Sequence, residues 1–222
     1  MMKSILVLVI LLAFSQASAQ EIVGKIFFLT GKATIERESG RAEAKLKTEV
    51  LRGDILATGR GASLILFLSD GSLLKMKPDS RLQIVDLSPR SGRIKLLSGS
   101  LFSKIRKLLK DEFFEVETPV AVVGVRGTEF FMAFGKKKGD GRDLWMCVHE
   151  GEVAVQAVKV GGQTAVRAGE GIVVTSDGKP TEPKRYKWTE KLNWNMDAEK
   201  GDVIDRTSLD SAYGDLKKQN YD

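Results

Sequence analysis

The residue pair best suited to covalent chemistry is Cys147 and His149, which lie two positions apart in the strand-like segment Leu144–His149. Residues two apart in a strand face the same side, so the thiol and the imidazole would lie together, beside Trp145. A thiol next to an imidazole is the minimum for a cysteine nucleophile. The sequence pattern shows no glycine-rich oxyanion loop and no orienting carboxylate, so we expect Cys147 to be a small buried apolar residue and His149 a polar residue at a strand end.

Paired acidic residues offer a second chemistry, general acid–base hydrolysis. The candidate pairs are Asp111-Glu112, Glu115/Glu117 and Glu150/Glu152. Hydrolysis would need one carboxyl group of a pair to be desolvated and its pKa raised, whereas alternating charges on a strand are typical of its water-facing side. The chain also has one Cys and one His, which excludes an intrachain disulfide and a zinc site built from several such ligands. We therefore expect no catalysis, no metal and no cofactor.

Two clusters of basic residues are candidates for binding an anionic partner, in a chain of net charge +6. They are Lys104, Arg106 and Lys107 in the amphipathic segment 104–110, and Lys136, Lys137 and Lys138 beside Gly139. Such clusters attract acidic protein surfaces, lipid headgroups or glycans; the alternative is solvated charge on a long hairpin and a loop tip. No phosphate-cradling glycine loop is present, and exposed aromatic residues are expected to be few, so nucleic acid is not an expected partner.

The first 19 residues have the pattern of a signal peptide. Lys3 precedes the apolar run Ile5–Phe14, which is shorter than the ~20 residues that a membrane-spanning helix needs. Ala17-Ser18-Ala19 supplies a small-x-small cleavage site, so we expect cleavage near Ala19 and a periplasmic or secreted protein without stable membrane insertion. The alternative is an uncleaved anchor.

Residues 20–178 are predicted to form one all-β domain. Runs of β-branched and aromatic residues alternate with glycine-containing turns, and the chain has 22 glycines but only five prolines. Asp70-Gly71 between the apolar runs Leu64–Leu68 and Leu73–Met76 predicts a hairpin. The pattern gives roughly twelve to sixteen short strands, typical of a β-solenoid or roll, with a two-sheet jelly-roll sandwich as the alternative. Val120–Val125 is a near-continuous apolar run, which predicts a strand buried on both faces.

Residues 179–222 are predicted to form a Pro-containing linker, over 179–184, and a partly helical tail. Trp188, Leu192 and Met196 are spaced four apart, which predicts a short amphipathic helix over residues 189–198. The remainder is polar and is expected to be helical or frayed.

Several segments resemble, in order, the FecR-domain family, the periplasmic module of regulators that sense siderophore signals. These segments are Gly53–Gly59, Asp70–Ser72, Leu97–Leu101, Phe114–Phe130, Val148–Val153 and Ala168–Glu170. The resemblance covers about residues 24–175 and implies a solenoid-like or roll-like domain that binds and signals without catalysis. The residues of its structural signature are Gly53, Asp54, Asp70, Gly71, Thr118, Pro119, Gly124, Gly127, Thr128, Glu150 and Gly151.

Two features depart from the transmembrane regulators of that family. Those proteins carry a cytoplasmic segment that binds a sigma factor, and a spanning helix, ahead of the domain. Here the domain follows the predicted signal peptide directly, so we expect a stand-alone exported member without direct anti-sigma activity. The tail is also shorter than the domain that meets the outer-membrane transporter in those regulators.

Arg126 lies in the most distinctive of these segments, in the predicted bend Val125-Arg126-Gly127-Thr128. A bidentate pair between Arg126 and Glu129 or Glu117 would clamp the bend, and we favour this structural role. The alternative is that Arg126 binds a carboxylate of a ligand.

The sequence therefore predicts a non-catalytic binding module for an envelope protein or an anionic envelope component, with a role in signalling or regulation. The alternative is a protein that binds polysaccharide or peptidoglycan, which would display Trp145, Trp188 and Trp194 on an exposed platform. A third hypothesis is an enzyme that uses Cys147 and His149, which would need both to be solvent-accessible.

Overall fold

The computed structural model describes residues 21–138 and 141–208. The predicted signal peptide and residues 209–222 lie outside the described residues. The structure is mostly β, with 56% of the described residues in strands and 4% in helical turns, so the all-β prediction is confirmed.

Seventeen strands succeed one another along the described chain, most of them short. They are β1 Ile22–Thr30, β2 Ala33–Arg37, β3 Gly40–Glu43, β4 Glu49–Leu51, β5 Ile55–Thr58, β6 Ser63–Leu68, β7 Leu73–Met76, β8 Arg81–Ser88, β9 Ser91–Lys104, β10 Phe113–Glu117, β11 Ala121–Val125, β12 Glu129–Lys138, β13 Gly141–Glu150, β14 Glu152–Ala157, β15 Gln163–Arg167, β16 Glu170–Val174 and β17 Lys184–Arg185.

The strands pair into two sheets that share β9. Sheet A has the order β4-β1-β6-β7-β9-β12-β13-β16-β17, and sheet B the order β3-β2-β5-β8-β9-β10-β11-β14-β15. The first half of β9 pairs with β8 and β10 in sheet B, and its second half pairs with β7 and β12 in sheet A. The chain passes repeatedly between the two sheets. The domain therefore combines the roll and the two-sheet arrangement of the two predicted architectures, and we call it a two-sheet roll.

The main core lies between the two sheets. Alternate residues of each strand point inward, as Phe114 and Val116 of β10 show, and both sheets contribute to one continuous apolar cluster. Burying each such side chain is worth about 1.5–3 kcal/mol. The prediction that Val120–Val125 is buried on both faces is wrong: β11 alternates buried and half-buried residues, and Val122 and Gly124 lie on the outer side of sheet B.

The outer face of sheet A is covered by residues 186–207, which we call the C-terminal strap. Trp188, Leu192 and Met196 pack there with Phe102, Phe131 and Trp145 in a second apolar cluster. The three apolar residues on which the helix prediction rested are therefore buried.

The predicted helix over residues 189–198 is wrong: the chain makes a 3₁₀ turn at Lys187–Lys191, becomes extended at Leu192, and makes a second 3₁₀ turn at Ala198–Lys200. Local polar side chains explain the difference. The backbone N–H groups of Asn195, Asp197 and Glu199 each donate to the side chain two residues earlier, at 2.9–3.0 Å. Such turns compete with the helical hydrogen bonds.

Two buried lysines join the strap to sheet A, a feature that the sequence analysis missed. Lys75 on β7 is 1% exposed, and its Nζ donates to the backbone carbonyls of Asn193, Asn195 and Val203 at 2.5, 2.8 and 3.0 Å. Lys77 forms a buried ion pair with Asp205. Burial lowers the pKa of Lys75 to about 8, because desolvation outweighs the attraction of Asp205.

This pKa predicts a pH-dependent stability. Between pH 8 and 10.5 the unfolded chain retains a proton that folded Lys75 has lost, so the contribution of Lys75 to the free energy of unfolding rises with pH in this window. We expect the difference in that free energy between wild type and Lys75→Met to shift by about 1–2 kcal/mol in favour of wild type from pH 7.5 to pH 10. Urea unfolding at both pH values measures the difference, and a shift of the opposite sign would contradict the burial argument.

Candidate functional site

The bend formed by residues 126–128 is the point where the chain leaves sheet B and enters sheet A. β11 ends at Val125 in one sheet, and β12 begins at Glu129 in the other. The segment after β9 runs directly against this bend, because the Ile105 N–H donates to the Thr128 carbonyl at 3.0 Å. Gly127 has φ +95°, and a Cβ there would lie 2.7 Å from the Cα of Lys107. Glycine is therefore required both for the bend and for the close approach.

Other signature turns pack around the same bend. Gly151, between β13 and β14, lies so close to Thr128 that a Cβ would approach its Cγ2 to 2.6 Å. In the turn after β6, Asp70 accepts hydrogen bonds from the backbone and the hydroxyl of Ser72, at 2.9 and 3.1 Å. The Ser72 hydroxyl accepts one from the Arg106 backbone at 3.2 Å. Signature residues distant in the chain thus meet at one end of the roll.

The remaining signature residues stabilise other turns. Asp54 is 1% exposed and accepts hydrogen bonds from the Leu51 backbone at 2.7 Å and from Arg37 at 3.0 Å. The preceding Gly53 has φ +91° in open space. The Thr118 hydroxyl accepts from the Ala121 N–H at 3.0 Å and so closes the turn that contains Pro119.

The predicted clamp between Arg126 and Glu129 or Glu117 is wrong. Arg126 is exposed, and it forms no ion pair with any residue in the described part of the chain. Glu129 lies opposite Lys104 in the β9–β12 pair and bonds it at 3.4 Å. Glu117 lies opposite Lys95 on sheet B, and it pairs with Lys95 at 3.1 Å and with Arg93 at 3.2 Å. Because of the strand register, Glu129 and Glu117 form their ion pairs with other cations, and the Arg126 guanidinium is available to a ligand.

The three basic candidates next to the bend differ in how far their charge is neutralised. Lys104 pairs with Glu129, and Arg106 pairs with Glu112 at 2.8 Å. The hydrogen bond from Arg106 lowers the pKa of Glu112, with a further contribution from the Leu109 backbone N–H. Lys107 is exposed and, within residues 21–138 and 141–208, has no ion pair. The cations that remain for a ligand are thus Arg126 and Lys107.

The second basic cluster, Lys136, Lys137 and Lys138, is paired through its backbone with residues 141–143 of β13. The side chains of the cluster lie outside what the structure describes, so its role in binding stays a prediction.

Two open clefts flank the bend. One, of about 530 Å³, is lined by four basic side chains (Lys104, Arg106, Lys107, Arg126) and two acidic ones (Glu129, Glu150). The other, of about 640 Å³, lies on the sheet B side, and its lining includes Phe113, Arg126 and Gln163. Thr128 lines both clefts; it is 4% exposed, and its hydroxyl has no hydrogen-bond partner among the described residues. A carboxylate in the first cleft would meet the Arg126 guanidinium and the Lys107 ammonium.

The residues with nucleophilic potential lie on the outer face of sheet A. Trp145, Cys147 and His149 share that face, as predicted, and Cys147 is fully buried as the expected small apolar residue. Burial raises the pKa of Cys147, which keeps the thiol protonated and out of reach of solvent. His149 is exposed and stacks on Trp194, with ring centroids 4.6 Å apart and planes 13° apart. The accessible Cys–His pair that catalysis would need is not formed.

The exposed tryptophan platform expected for a glycan-binding protein is also absent from the described structure. Trp145 and Trp188 are 0% and 4% exposed, and they meet edge to face with centroids 6.0 Å apart. Trp194 is half-buried and packs edge-on against Phe102 at 5.3 Å. All three lie where the strap packs on sheet A, and their aromatic rings bury apolar surface on the outer face of the sheet.

Residues 21–138 and 141–208 contain no group of three or more His, Cys, Asp and Glu side chains placed to hold a metal ion. No helix in these two ranges has the length and apolarity needed to cross a bilayer.

The close packing of Gly127 predicts a large effect of a single methyl group. We expect Gly53→Ala, which adds a Cβ at φ +91° in open space, to lower the free energy of unfolding by about 1–2 kcal/mol. Gly127→Ala adds the same strain plus the contact with the Lys107 backbone, so its loss should be larger by at least about 1 kcal/mol. Urea unfolding of the two variants measures the difference; equal losses would show that segment 105–112 does not press on the bend.

Comparison with known proteins identifies a domain within the chain. Residues 54–154 match the model of the FecR protein family. No curated protein matches. Among solved structures, two crystal structures, at 2.50 and 1.65 Å resolution, of a candidate anti-sigma factor from Parabacteroides distasonis ATCC 8503 are similar in fold. Each has a TM-score of 0.50 and 17% identity, over 59% of this chain and 59% of that chain. The chain thus spans less than two thirds of those structures, and identity this low shows a shared fold alone. Through residues 54–154, with the ordered signature turns around them, this chain contains a FecR domain.

Proposed function

We propose that this chain is an exported, non-catalytic FecR-domain module that binds an envelope protein in signalling or regulation, through the clefts at the Arg126 bend. The observation that carries the proposal is Arg126 itself, which is exposed and without an ion pair among the described residues, in the family's most distinctive segment. The family match supports a regulatory role, as does the designation of the structural neighbour as a candidate anti-sigma factor.

Electrostatics favours an anionic group of the partner at this site. The cleft of about 530 Å³ carries two more basic than acidic side chains, and Lys104 and Arg106 are already neutralised by Glu129 and Glu112. An Asp or Glu side chain of the partner would form charge-assisted hydrogen bonds with Arg126 and Lys107, which set orientation as well as affinity.

The open edges of the sheets are weaker candidates for the contact. In sheet B, β3 pairs only with β2 and β15 only with β14 among the described strands, so each has a free side. Both are short and charged: β3 holds Arg41 and Glu43, and β15 ends at Arg167. Short charged edges are the usual protection against unwanted strand pairing. We therefore assign recognition to the bend rather than to strand addition.

The proposed location of the protein outside the cytoplasm rests on the N-terminal sequence pattern. A positively charged start, a short apolar run and Ala17-Ser18-Ala19 support export and cleavage near Ala19. The partner would then be a periplasmic, outer-membrane or secreted protein.

Charge reversal at the bend tests the proposal. We expect Arg126→Glu/Lys107→Glu to lose at least about tenfold in the amount of the specific partner that is captured and cross-linked from envelope extract, because two attractive contacts become repulsive. The matched control is Lys32→Glu/Arg60→Glu, which reverses two exposed cations without ion pairs elsewhere in the described structure. Capture by this control should equal that of wild type.

A third variant, Lys136→Glu/Lys137→Glu/Lys138→Glu, tests the second basic cluster in the same assay. If the bend variant captures the partner as well as wild type does, the Arg126 site is wrong. Loss of capture in the lysine-cluster variant alone would move the site to that loop.

A further inference from the structure

The outer face of sheet A has the composition of a binding groove rather than of a solvent-facing sheet. The side chains that line it share complete or nearly complete burial and are aromatic or apolar: Ile65, Phe102, Phe131, Ala133, Trp145 and Cys147. Among the described elements, the C-terminal strap covers them, and it lies on the sheet in an extended path with two short 3₁₀ turns. The sheet thus already holds an extended polypeptide on this face.

Sheet A recognises the main chain of that polypeptide. The Lys75 ammonium donates to three backbone carbonyls that belong to residues 193, 195 and 203, so one side chain ties together two stretches of the strap. The Lys75 Nζ also lies 4.4 Å from the ring centroid of Phe102, which holds the cation in place. Carbonyl groups are present in any peptide, so this contact does not depend on the side chains of the strap.

Specificity comes from aromatic pockets and one acidic contact. Trp188 fits edge-on between Phe131 and Trp145, with centroids 6.4 and 6.0 Å away. Asp205 forms a buried ion pair with Lys77 and also accepts a hydrogen bond from the Asn193 backbone at 2.8 Å. Main-chain hydrogen bonds combined with pockets for particular side chains are the usual physics of peptide recognition on a sheet.

We propose that the outer face of sheet A is a binding site for an extended peptide with an aromatic and an acidic anchor, and that the strap occupies it as a displaceable ligand in the same chain. This second site is independent of the Arg126 bend and goes beyond the proposed function.

Two observations support displacement without unfolding of the roll. The strap follows β17, a two-residue edge strand that pairs with β16, so departure of the strap leaves the strands of the core in place. In addition, the strap buries Lys75 when it lies on sheet A, and the lowered pKa of Lys75 reflects the cost of removing water from its ammonium group. Opening of the strap lets water return to this group and removes that cost. The strap therefore opens at a smaller free energy than the roll unfolds.

Cys147 reports this opening, because it is the single cysteine of the chain and is fully buried beneath the strap. The experiment uses the full-length protein and follows modification of Cys147 by a thiol reagent, together with the far-UV circular dichroism of the roll. We expect Asp205→Ala to speed modification by at least about tenfold while the circular dichroism is unchanged, because the lost ion pair holds the strap down. Asp202→Asn is the matched control: Asp202 is exposed and pairs with Arg206 within the strap, so modification should proceed at the wild-type rate.

The binding site itself is tested with a synthetic peptide of residues 186–207. An excess of this peptide should slow the modification of Cys147 in Asp205→Ala back towards the wild-type rate, whereas a scrambled peptide of the same composition should have no effect. If Asp205→Ala fails to fold, Lys77→Met breaks the same ion pair and replaces it in the assay.

Two results would overturn the proposal. If Cys147 reacts only as fast as the circular dichroism signal is lost, the strap does not open separately from the roll. If modification is fast but the peptide gives no protection, the face is not a peptide site. Both results leave the Arg126 proposal intact, since capture by the bend does not depend on the strap.

Discussion

β9 joins the two sheets of this protein, and the crossing at Gly99 is the constraint on which the rest of the structure depends. A Cβ at Gly99, where φ is +86°, would lie 2.4 Å from the Cα of Ser80, so the crossing requires both glycine and close contact with the chain before β8. The Ser80 hydroxyl accepts a hydrogen bond from the Ser100 N–H at 2.8 Å and secures the contact. Because one strand belongs to both sheets, their separation is set and one apolar core forms between them.

The same arrangement determines where the candidate sites lie. The chain passes from sheet B to sheet A at the bend of residues 126–128, and turns from three distant parts of the sequence pack around that bend. Sheet A, by contrast, has apolar side chains on both faces, so it needs a cover beyond sheet B. The strap supplies that cover. As a result, three tryptophans and the single cysteine pack in the interface between the strap and sheet A and do not form an exposed binding or reactive surface.

Local features of the fold were predictable because they depend on short-range rules. The Asp70-Gly71 turn, the alternation of Phe114 and Val116, and the shared face of Trp145 and Cys147 follow from turn geometry and the two-residue period of a strand. In the tail, the same kind of short-range rule predicted a helix that does not form. The apolar residues of the tail, spaced four apart, are buried against sheet A. They do not lie on a helix, because the side chains of Asn193, Asn195 and Asp197 accept hydrogen bonds from backbone N–H groups two residues later.

Ion pairs and burial of charge depended on contacts between distant residues. Arg126 was expected to pair with an acid three or nine positions away, but strand register places Lys104 opposite Glu129 and Lys95 opposite Glu117. Lys75 reads in the sequence as an ordinary strand lysine, and only the strap more than a hundred residues later buries it. The sequence by itself determined the β-rich class, the turns and the FecR domain, since these follow from local composition and ordered motifs. The tertiary structure alone decided which cations remain unpaired and which faces are covered, because both depend on strands and segments that meet only after folding.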